Sequence, residues 1–361
     1  MHARADSTAL MVENYTVDDV QAAFANINVR GDYLAAWVND AVPSPWYGTN
    51  FKNWFGFRNH FQGIQRLQNQ NYVVISGSNT HQPMANLLII KVASQPPIGD
   101  WQSNVEKDGA PPPLEDGVTL NFEIDSVKWH AGGMSTLGDL LVIPIYGHSP
   151  LHGKIIFYDM RTPESPRKLA VEIDRPGRKA YAVAVARLLN GFYIAAVLSG
   201  RDGLKKRLDF YLSKTEQLKD GFQADPVIWT AGKVEAANGQ DKNFGDFQTI
   251  NFIRQTDGRL FLAGFHNTAF NLRIIPGKDY ADLFEIVLPP ETTQSSDAFL
   301  KLPRVVKVAN RQFYCKDGYC NMDAAGGIYV SPEGALSVYA ATFWLAKDLV
   351  KFKSFPAMKT P

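Results

Sequence analysis

Cysteine is nearly absent from this sequence. Cys315 and Cys320 are the only two, and they flank Lys316-Asp317-Gly318-Tyr319. Two thiols with no third cysteine and no neighbouring histidine make a poor zinc site. Their spacing suits a small disulfide loop around a turn, which tilts the expected compartment towards an oxidising, secreted or extracytoplasmic one. Two reduced thiols are the alternative. Long apolar runs are lacking as well, since none approaches the roughly 18 residues that a membrane-crossing helix requires. A dominant charge is missing: 37 Lys and Arg face 36 Asp and Glu, for a net charge of +1. No basic stripe is available to neutralise phosphates, so nucleic acid and membrane are not expected as partners. The first residues, Met1-His2-Ala3-Arg4-Ala5-Asp6-Ser7, hold no apolar leader, which fits a cytosolic protein or a mature secreted chain. GxSxG, P-loop, GxGxxG and HExxH motifs do not occur, so serine-hydrolase, nucleotide and zincin mechanisms have no support.

What the sequence does have is a repeat. Its first copy is Asn59-His60-Phe61-Gln62-Gly63-Ile64-Gln65-Arg66-Leu67, and variants return at Trp129–Leu137, Ala180–Leu188, Gly245–Ile253 and Asp323–Ser331. A turn follows each copy: Gln70-Asn71, Gly138-Asp139, Asn190-Gly191, Asp257-Gly258 and Glu333-Gly334. Then comes an apolar run, YVVISG, LLVIPI, FYIAAV, LFLAGF or ALSVYA. Two apolar segments around an Asn, Asp or Gly turn form the hairpin signature, because those residues tolerate positive φ. A third strand is expected at Asn86–Val92, Lys154–Asp159, Arg207–Leu212, Asp282–Leu288 and Asp348–Lys353, and a more polar fourth at Arg167–Ile173, Asp225–Trp229 and Arg304–Val308.

Four antiparallel strands per unit, with small residues inside and charge outside, are the grammar of a β-propeller blade. The expected fold is therefore all-β, a five-bladed β-propeller of four-stranded antiparallel blades at 51–361, with an N-terminal extension at 1–50. That extension should supply a short helix over Val17–Ala25 capped by Thr16. It should also supply Leu34–Asn39 as a strand closing the ring against the last blade, whose outer edge would otherwise stay unpaired. The Pro- and Gly-rich stretches 96–113, 174–178 and 289–303 read as loops.

Propeller geometry predicts which residues share a rim. His60 and His130 stand at the starts of inner strands, and His81, His148, His152 and His266 stand in the loops after second strands. Only His2 falls elsewhere. The positions matching His60 and His130 in the other units are Tyr181, Asp246 and Ala324, the last preceded by Asp323. The expected catalytic residues are thus His60, His130, Tyr181, Asp246 and Asp323, because a concave polar mouth with several titratable groups is the default place for a site. His81, His148, His152, Arg201, His266 and Trp344 are expected to bind substrate around them, with Arg66 and Arg187 lower on the inner strands. Two chemistries fit. His60 and His130 with a carboxylate from Asp246 or Asp323 could hold a divalent metal such as zinc, manganese or iron. Alternatively imidazole and phenol could act as general base and acid without metal, which suits proton abstraction and elimination from a sugar acid.

From its HxxGG-type inner strand, hairpin turn and third strands LLIIKV and KIIFYD, the chain resembles five-bladed β-propellers over about residues 51–356. Among such proteins, furanosidase-type glycoside hydrolases carry an Asp base or nucleophile, a second Asp and a Glu acid around the channel mouth. This sequence departs from that pattern, opening its first two inner strands with His60 and His130 and placing no Glu at an inner-strand start. Five-bladed lectins have near-identical repeats with a sugar site in each, whereas these repeats have diverged, which favours one central site. The expected function is an enzyme acting on a small polar molecule or carbohydrate derivative by lyase or hydrolase chemistry. The alternative is a non-catalytic module binding a ligand or protein partner across the same face with Trp46, Trp54, Phe265 and Trp344.

Overall fold

The structure is a computed structural model. It describes residues 10–37, 59–79, 84–92, 117–125, 130–148, 151–200, 206–237, 239–268, 277–293, 300–315, 318–343 and 349–358. Along the chain, β1 (Thr16–Val17) and helix α1 (Val20–Ala25) precede β2 (Asp32–Trp37). The first unit is β3 (Asn59–Arg66), β4 (Tyr72–Asn79), β5 (Met84–Lys91) and β6 (Gly117–Asp125). The second is β7 (His130–Ala131), β8 (Ser135–Leu137), β9 (Leu140–His148), β10 (Leu151–Asp159) and β11 (Arg167–Pro176). The third is β12 (Ala182–Arg187), β13 (Tyr193–Gly200), β14 (Arg207–Leu212) and β15 (Val227–Thr230), followed by the short β16 (Glu235–Ala236). The fourth is β17 (Thr249–Gln255), β18 (Leu260–Asn267), β19 (Asp279–Val287) and β20 (Arg304–Phe313), with a helical turn α2 (Pro290–Thr293) between its last two strands. The last unit holds β21 (Ala325–Val330), β22 (Leu336–Ala341) and β23 (Leu349–Phe355). This is an all-β propeller.

The strands are apolar on both faces because each unit is sandwiched between two others, so the period-2 alternation of a strand divides its side chains between two cores. On β12, Ala182, Ala184 and Ala186 pack with Phe247, Phe252 and Phe284 of the fourth unit. The intervening Val183 and Val185 pack with Val142 and Phe157 of the second. On β18, Leu260 and Leu262 belong to the first of these cores, whereas Phe261, Ala263 and Phe265 face Val338 and Ala340 of the last unit. Val74, Leu87 and Ile89 join the first unit to Leu141 and Ile143 of the second. Val73, Leu88 and Ile90 join it to Tyr339 and Phe352 of the last.

The ladders differ from the expected five separate blades. They fall into four sheets, because one parallel pair, Trp37 with Gly117, links β2 to β6 and merges two four-stranded groups into a single eight-stranded order, β21-β22-β23-β2-β6-β5-β4-β3. Within it β2 pairs antiparallel with β23 from Asp32↔Ser354 to Trp37↔Leu349. The N-terminal helix is shorter than expected. Thr16 and Val17 are drawn into a parallel pair with Arg254 and Gln255, and Asp19 takes over as the cap, accepting from the Ala22 N–H at 3.0 Å. The second inner strand is also broken. Gly132 and Gly133 separate β7 from β8, and Gly133 bridges in parallel to Ala182 of the next unit. Both glycines are needed, since a Cβ on Gly132 would lie 1.9 Å from the Tyr181 carbonyl oxygen and one on Gly133 2.5 Å from that of Gln248. The cysteines form the disulfide Cys315–Cys320. Among the described residues no helix is long and apolar enough to cross a membrane.

Candidate functional site

Where the inner strands crowd together the axis is filled by amides. Gln65, fully buried, donates from Nε2 to the Met134 carbonyl at 2.9 Å and to Asn251 Oδ1 at 3.1 Å. Asn251 Nδ2 returns to the same carbonyl at 3.0 Å, and its Oδ1 accepts the Ile328 N–H at 3.1 Å. Nearer the rim Gln248 Nε2 donates to Gln62 Oε1. This buried amide network ties four inner strands together, with Gln65 Oε1 left as its one buried atom without a hydrogen bond.

Pairing registers place the expected residues at one end of their strands. His60 lies opposite Ser78, His130 opposite Tyr146, and His152 opposite Gly147. His266 lies opposite Tyr280. Within that rim two groups form.

The first surrounds Tyr181. The His130 ring, buried, lies 4.5 Å from the Tyr146 ring, which meets Tyr181 edge-on at 5.3 Å. Lys179 Nζ donates to the Tyr181 hydroxyl at 2.9 Å and stands 5.3 Å from the Tyr181 ring centre and 5.9 Å from that of Tyr146. Because the ammonium occupies one lone pair of that hydroxyl, the phenolic O–H is free to point towards a ligand. The backbone of Tyr181 is held as tightly as its side chain, for its carbonyl accepts the Gly133 N–H at 2.9 Å and its N–H donates to Leu198 at 2.9 Å. Nothing in the sequence repeat marks Tyr146 or Lys179. Tyr146 is a register partner on the next strand, and Lys179 sits just before the repeat begins.

The second group belongs to the fourth unit. His266 stacks on Tyr280 at 5.7 Å, meets Phe247 edge-on at 5.5 Å, and brings Nε2 to 3.4 Å from Asp282 Oδ2. Asp282, 1% exposed, also accepts from Asn310 Nδ2 at 2.5 Å and pairs with the buried Lys307 at 3.1 Å. Burial disfavours its charge, but His266, Asn310 and Lys307 outweigh that and hold the carboxyl below its ordinary range. At the start of the same strand, Asp279 accepts from the Met322 N–H at 2.7 Å and Asn267 Nδ2 at 2.9 Å. Burial pushes Asp279 up to about 6, and the charge of Asp323 adds to the rise. A carboxyl with such a value beside a second carboxylate is the kind of group that acid–base sites use. Asp323 itself is half-buried, its N–H donating to Asn321 Oδ1 at 2.8 Å. Asp246, on the loop before β17, is exposed and paired with Lys206 at 3.0 Å.

His130 and Tyr181 are therefore brought together through Tyr146, and Asp323 is brought near Asp279. The described imidazoles stay in separate settings, with His152 turned to the outer pair and 2.5 Å from Asp174. Arg66 is engaged by the Tyr339 hydroxyl at 3.0 Å, and Arg187 faces Glu13 at 3.7 Å. His81, Arg201, Trp344, Trp46 and Trp54 lie outside the described residues, as do the side chains of His60 and His148. For the metal expected on His60, His130 and Asp246, no group of three or more His, Cys, Asp or Glu able to hold an ion occurs among the described residues. The Asp246 carboxylate is instead taken by an ammonium. Of the expected ligands, the described His130 packs on Tyr146 and Asp246 pairs with Lys206.

No family model matches the chain, and no curated protein matches it. Among solved structures it is similar to a thermostable family-43 glycoside hydrolase, with 11% identity over 86% of this chain and 98% of the other at a TM-score of 0.42. An α-L-arabinofuranosidase from Podospora anserina solved with cellotriose gives 10% identity, 93% and 99% coverage and a TM-score of 0.40. A hypothetical protein from Leishmania major gives 10%, 93% of each chain and 0.39. Likeness at this level carries no argument about the chemistry of this chain.

Proposed function

We propose that the chain is an enzyme acting on a small carbohydrate derivative at the Tyr181 rim by proton-transfer chemistry. In the form best suited to these side chains, the reaction is elimination from a sugar acid. A base removes the proton on the carbon next to the carboxyl, a carbon–carbon double bond forms, and the bond to the leaving oxygen breaks as that oxygen takes up a proton. Tyr181 and His130 are the proton-transfer residues of this reading, and Lys179 is the cation that balances the developing negative charge. The observation that carries it is the Lys179–Tyr181 contact at 2.9 Å within the same group as His130. Hydrolysis of a glycosidic bond by the same residues is the second form. The ring that presents the site is read as five four-stranded blades closed where β2 joins β23. In support, five buried clusters each join two consecutive units, the last with the first among them.

The test is a panel of uronic-acid and neutral glycosides, followed by ultraviolet absorbance for a new double bond and by reducing-end release for hydrolysis. Tyr181→Phe should abolish turnover with the melting temperature nearly unchanged. Turnover in that variant equal to the parent would refute the assignment, and a panel left wholly unreacted would leave the non-catalytic binding module as the better reading.

A further inference from the structure

The connection from β11 to β12 reads Arg175-Pro176-Gly177-Arg178-Lys179-Ala180-Tyr181. It brings three cations to the rim immediately before the tyrosine. Gly177, at φ +69, turns the chain, with its N–H on the Leu151 carbonyl at 2.9 Å. Gly153 lets the connection pass close over β10, since a Cβ there would lie 2.7 Å from the Arg178 carbonyl oxygen.

Under this connection the charges do not balance. Among the described residues, Asp209, fully buried, is the one carboxylate facing three guanidinium groups. Arg175 donates to its Oδ2 and, at 2.6 Å, to Ser199 Oγ, while Ser199 Oγ donates to the same carboxylate oxygen at 2.5 Å. Arg178 Nη1 stands 3.8 Å from Oδ2, and Arg207 Nε 3.3 Å from Oδ1. Tyr211 lies beneath Arg175 at 5.6 Å and also faces Arg178. The neighbouring carboxylates on β11 are engaged elsewhere, Asp174 by His152 and Lys154 and Glu172 by Lys154. Among the described residues, two positive charges are thus left over.

An ion-pair keystone between two blades would need only one of these arginines. A buried guanidinium with unmet donors is costly, yet Arg175, 1% exposed, has Nε and Nη1 without a hydrogen-bond partner. Arg178 Nη1 and Arg207 Nε, on partly exposed side chains, make no hydrogen bond either, and Asp209 Oδ1, 3.3 Å from Arg207 Nε, accepts none. Burial pushes the Arg175 guanidinium below its usual value, and Arg178 and Arg207 push it further. Arg178 and Arg207 keep a third of their side-chain surface in solvent, which is the side from which a counter-charge can arrive.

We propose that Arg178 and Arg207, backed by the buried Arg175–Asp209 pair, form an oxyanion subsite that takes a carboxylate, sulfate or phosphate group of a sugar-derived ligand beside Tyr181. Planar forked donors suit each of these groups. The binding stands on the arginine geometry alone, and only its link to turnover rests on the role of Tyr181 given above.

The experiment is calorimetric titration at low ionic strength with glucuronate, glucose 6-sulfate and glucose 6-phosphate, and with glucose as the neutral probe. The three anionic probes identify which group the subsite prefers. Anionic sugars should bind and glucose should not. Arg178→Gln and Arg207→Gln should each weaken the preferred probe by about ten-fold or more, the loss of one charged hydrogen bond. Arg207→Lys, which keeps the charge but not the fork, should also weaken it. Arg259→Gln, in a hairpin turn at the other end and paired with Asp257, should bind as the parent does. Equal binding of glucose and the anions, or parental affinity in both glutamine variants, would overturn the subsite. Tyr181→Phe separates the two readings: retained anion binding with lost turnover supports both, whereas retained binding with retained turnover removes only the catalytic one.

Discussion

Gly132→Ala tests whether the Tyr181 site depends on how closely two propeller units approach. A Cβ at this position would stand 1.9 Å from the Tyr181 carbonyl oxygen, 2.7 Å from its carbon and 3.3 Å from Pro144 Cγ. The first two atoms are backbone and have no rotamer by which to escape. Relief requires the 132–133 segment and the start of β12 to part by about 1.5 Å, the difference between 1.9 Å and the 3.4 Å at which ordinary contact begins. That movement breaks the Gly133 N–H bond to Tyr181 at 2.9 Å and strains the Val183 N–H bond to Gly133 at 3.0 Å. Two hydrogen bonds at about 1 kcal/mol each and an overpacking cost of about 1–3 kcal/mol give a loss of roughly 3–5 kcal/mol. For a chain of this length, that lowers the melting temperature by about 4–6 °C. Gly177→Ala is the comparison. Gly177 is also a tight position, at φ +69, but a Cβ there meets nothing within 4 Å, so only the left-handed backbone cost of about 1–2 kcal/mol applies. Thermal unfolding followed by circular dichroism reads both. Should Gly132→Ala melt within a degree of the parent, or no lower than Gly177→Ala, the close approach that positions Tyr181 is not there.

Three further outcomes can be checked alongside. Asp279 is raised to about 6 by burial, so between about pH 4 and 6 the folded protein holds a proton that the unfolded chain releases, and stability falls as pH rises through that window. Asp279→Asn keeps both hydrogen bonds to its Oδ1, and should flatten this slope in urea titrations and raise stability at neutral pH. Among the described residues, Asp282→Asn leaves Lys307, 2% exposed, with only Asp241, which is 68% exposed, as a counter-charge. It should cost about 3 kcal/mol in denaturant midpoint, the lower end for a broken buried pair; a neutral result would show Asp241 to be sufficient. Reducing Cys315–Cys320, with a sequence separation of 5, should cost about 2 kcal/mol on loop-entropy grounds, measured by melting with and without dithiothreitol.

The hairpins were legible because their turns are written in residues that solve a local problem. Gly138, Gly191, Gly258 and Gly334 all stand at positive φ where the sequence placed turns. Features that depend on a second segment were not legible. Thr16 and Val17 read as the start of a helix until the edge of β17 offers them a parallel partner. Trp129–Leu137 reads as one inner strand until the Tyr181 backbone comes against Gly132. The number of sheets depends on one residue pair, Trp37 with Gly117, and no local pattern could announce it.

The same division applies to the proposed site. Tyr181 could be put forward from the sequence because it occupies the inner-strand start that His130 occupies in another unit, and repeat position is a local property. Its partners could not. Lys179 precedes the repeat, Tyr146 is matched to His130 only by antiparallel register, and Asp209 is a lone acid in an apolar strand until Arg175, Arg178 and Arg207 converge on it from two blades. Asp282 carries the same lesson, since a carboxylate between apolar neighbours on β19 becomes intelligible once His266, Lys307 and Asn310 are seen to face it. In a propeller each blade buries both faces, so a charge on a middle strand has to be matched from an adjoining strand or blade. An isolated Asp or Arg within an apolar third or fourth strand is therefore the sequence signal that was present and unused. It says that a partner of opposite charge must exist, and leaves to the three-dimensional register which residue that is.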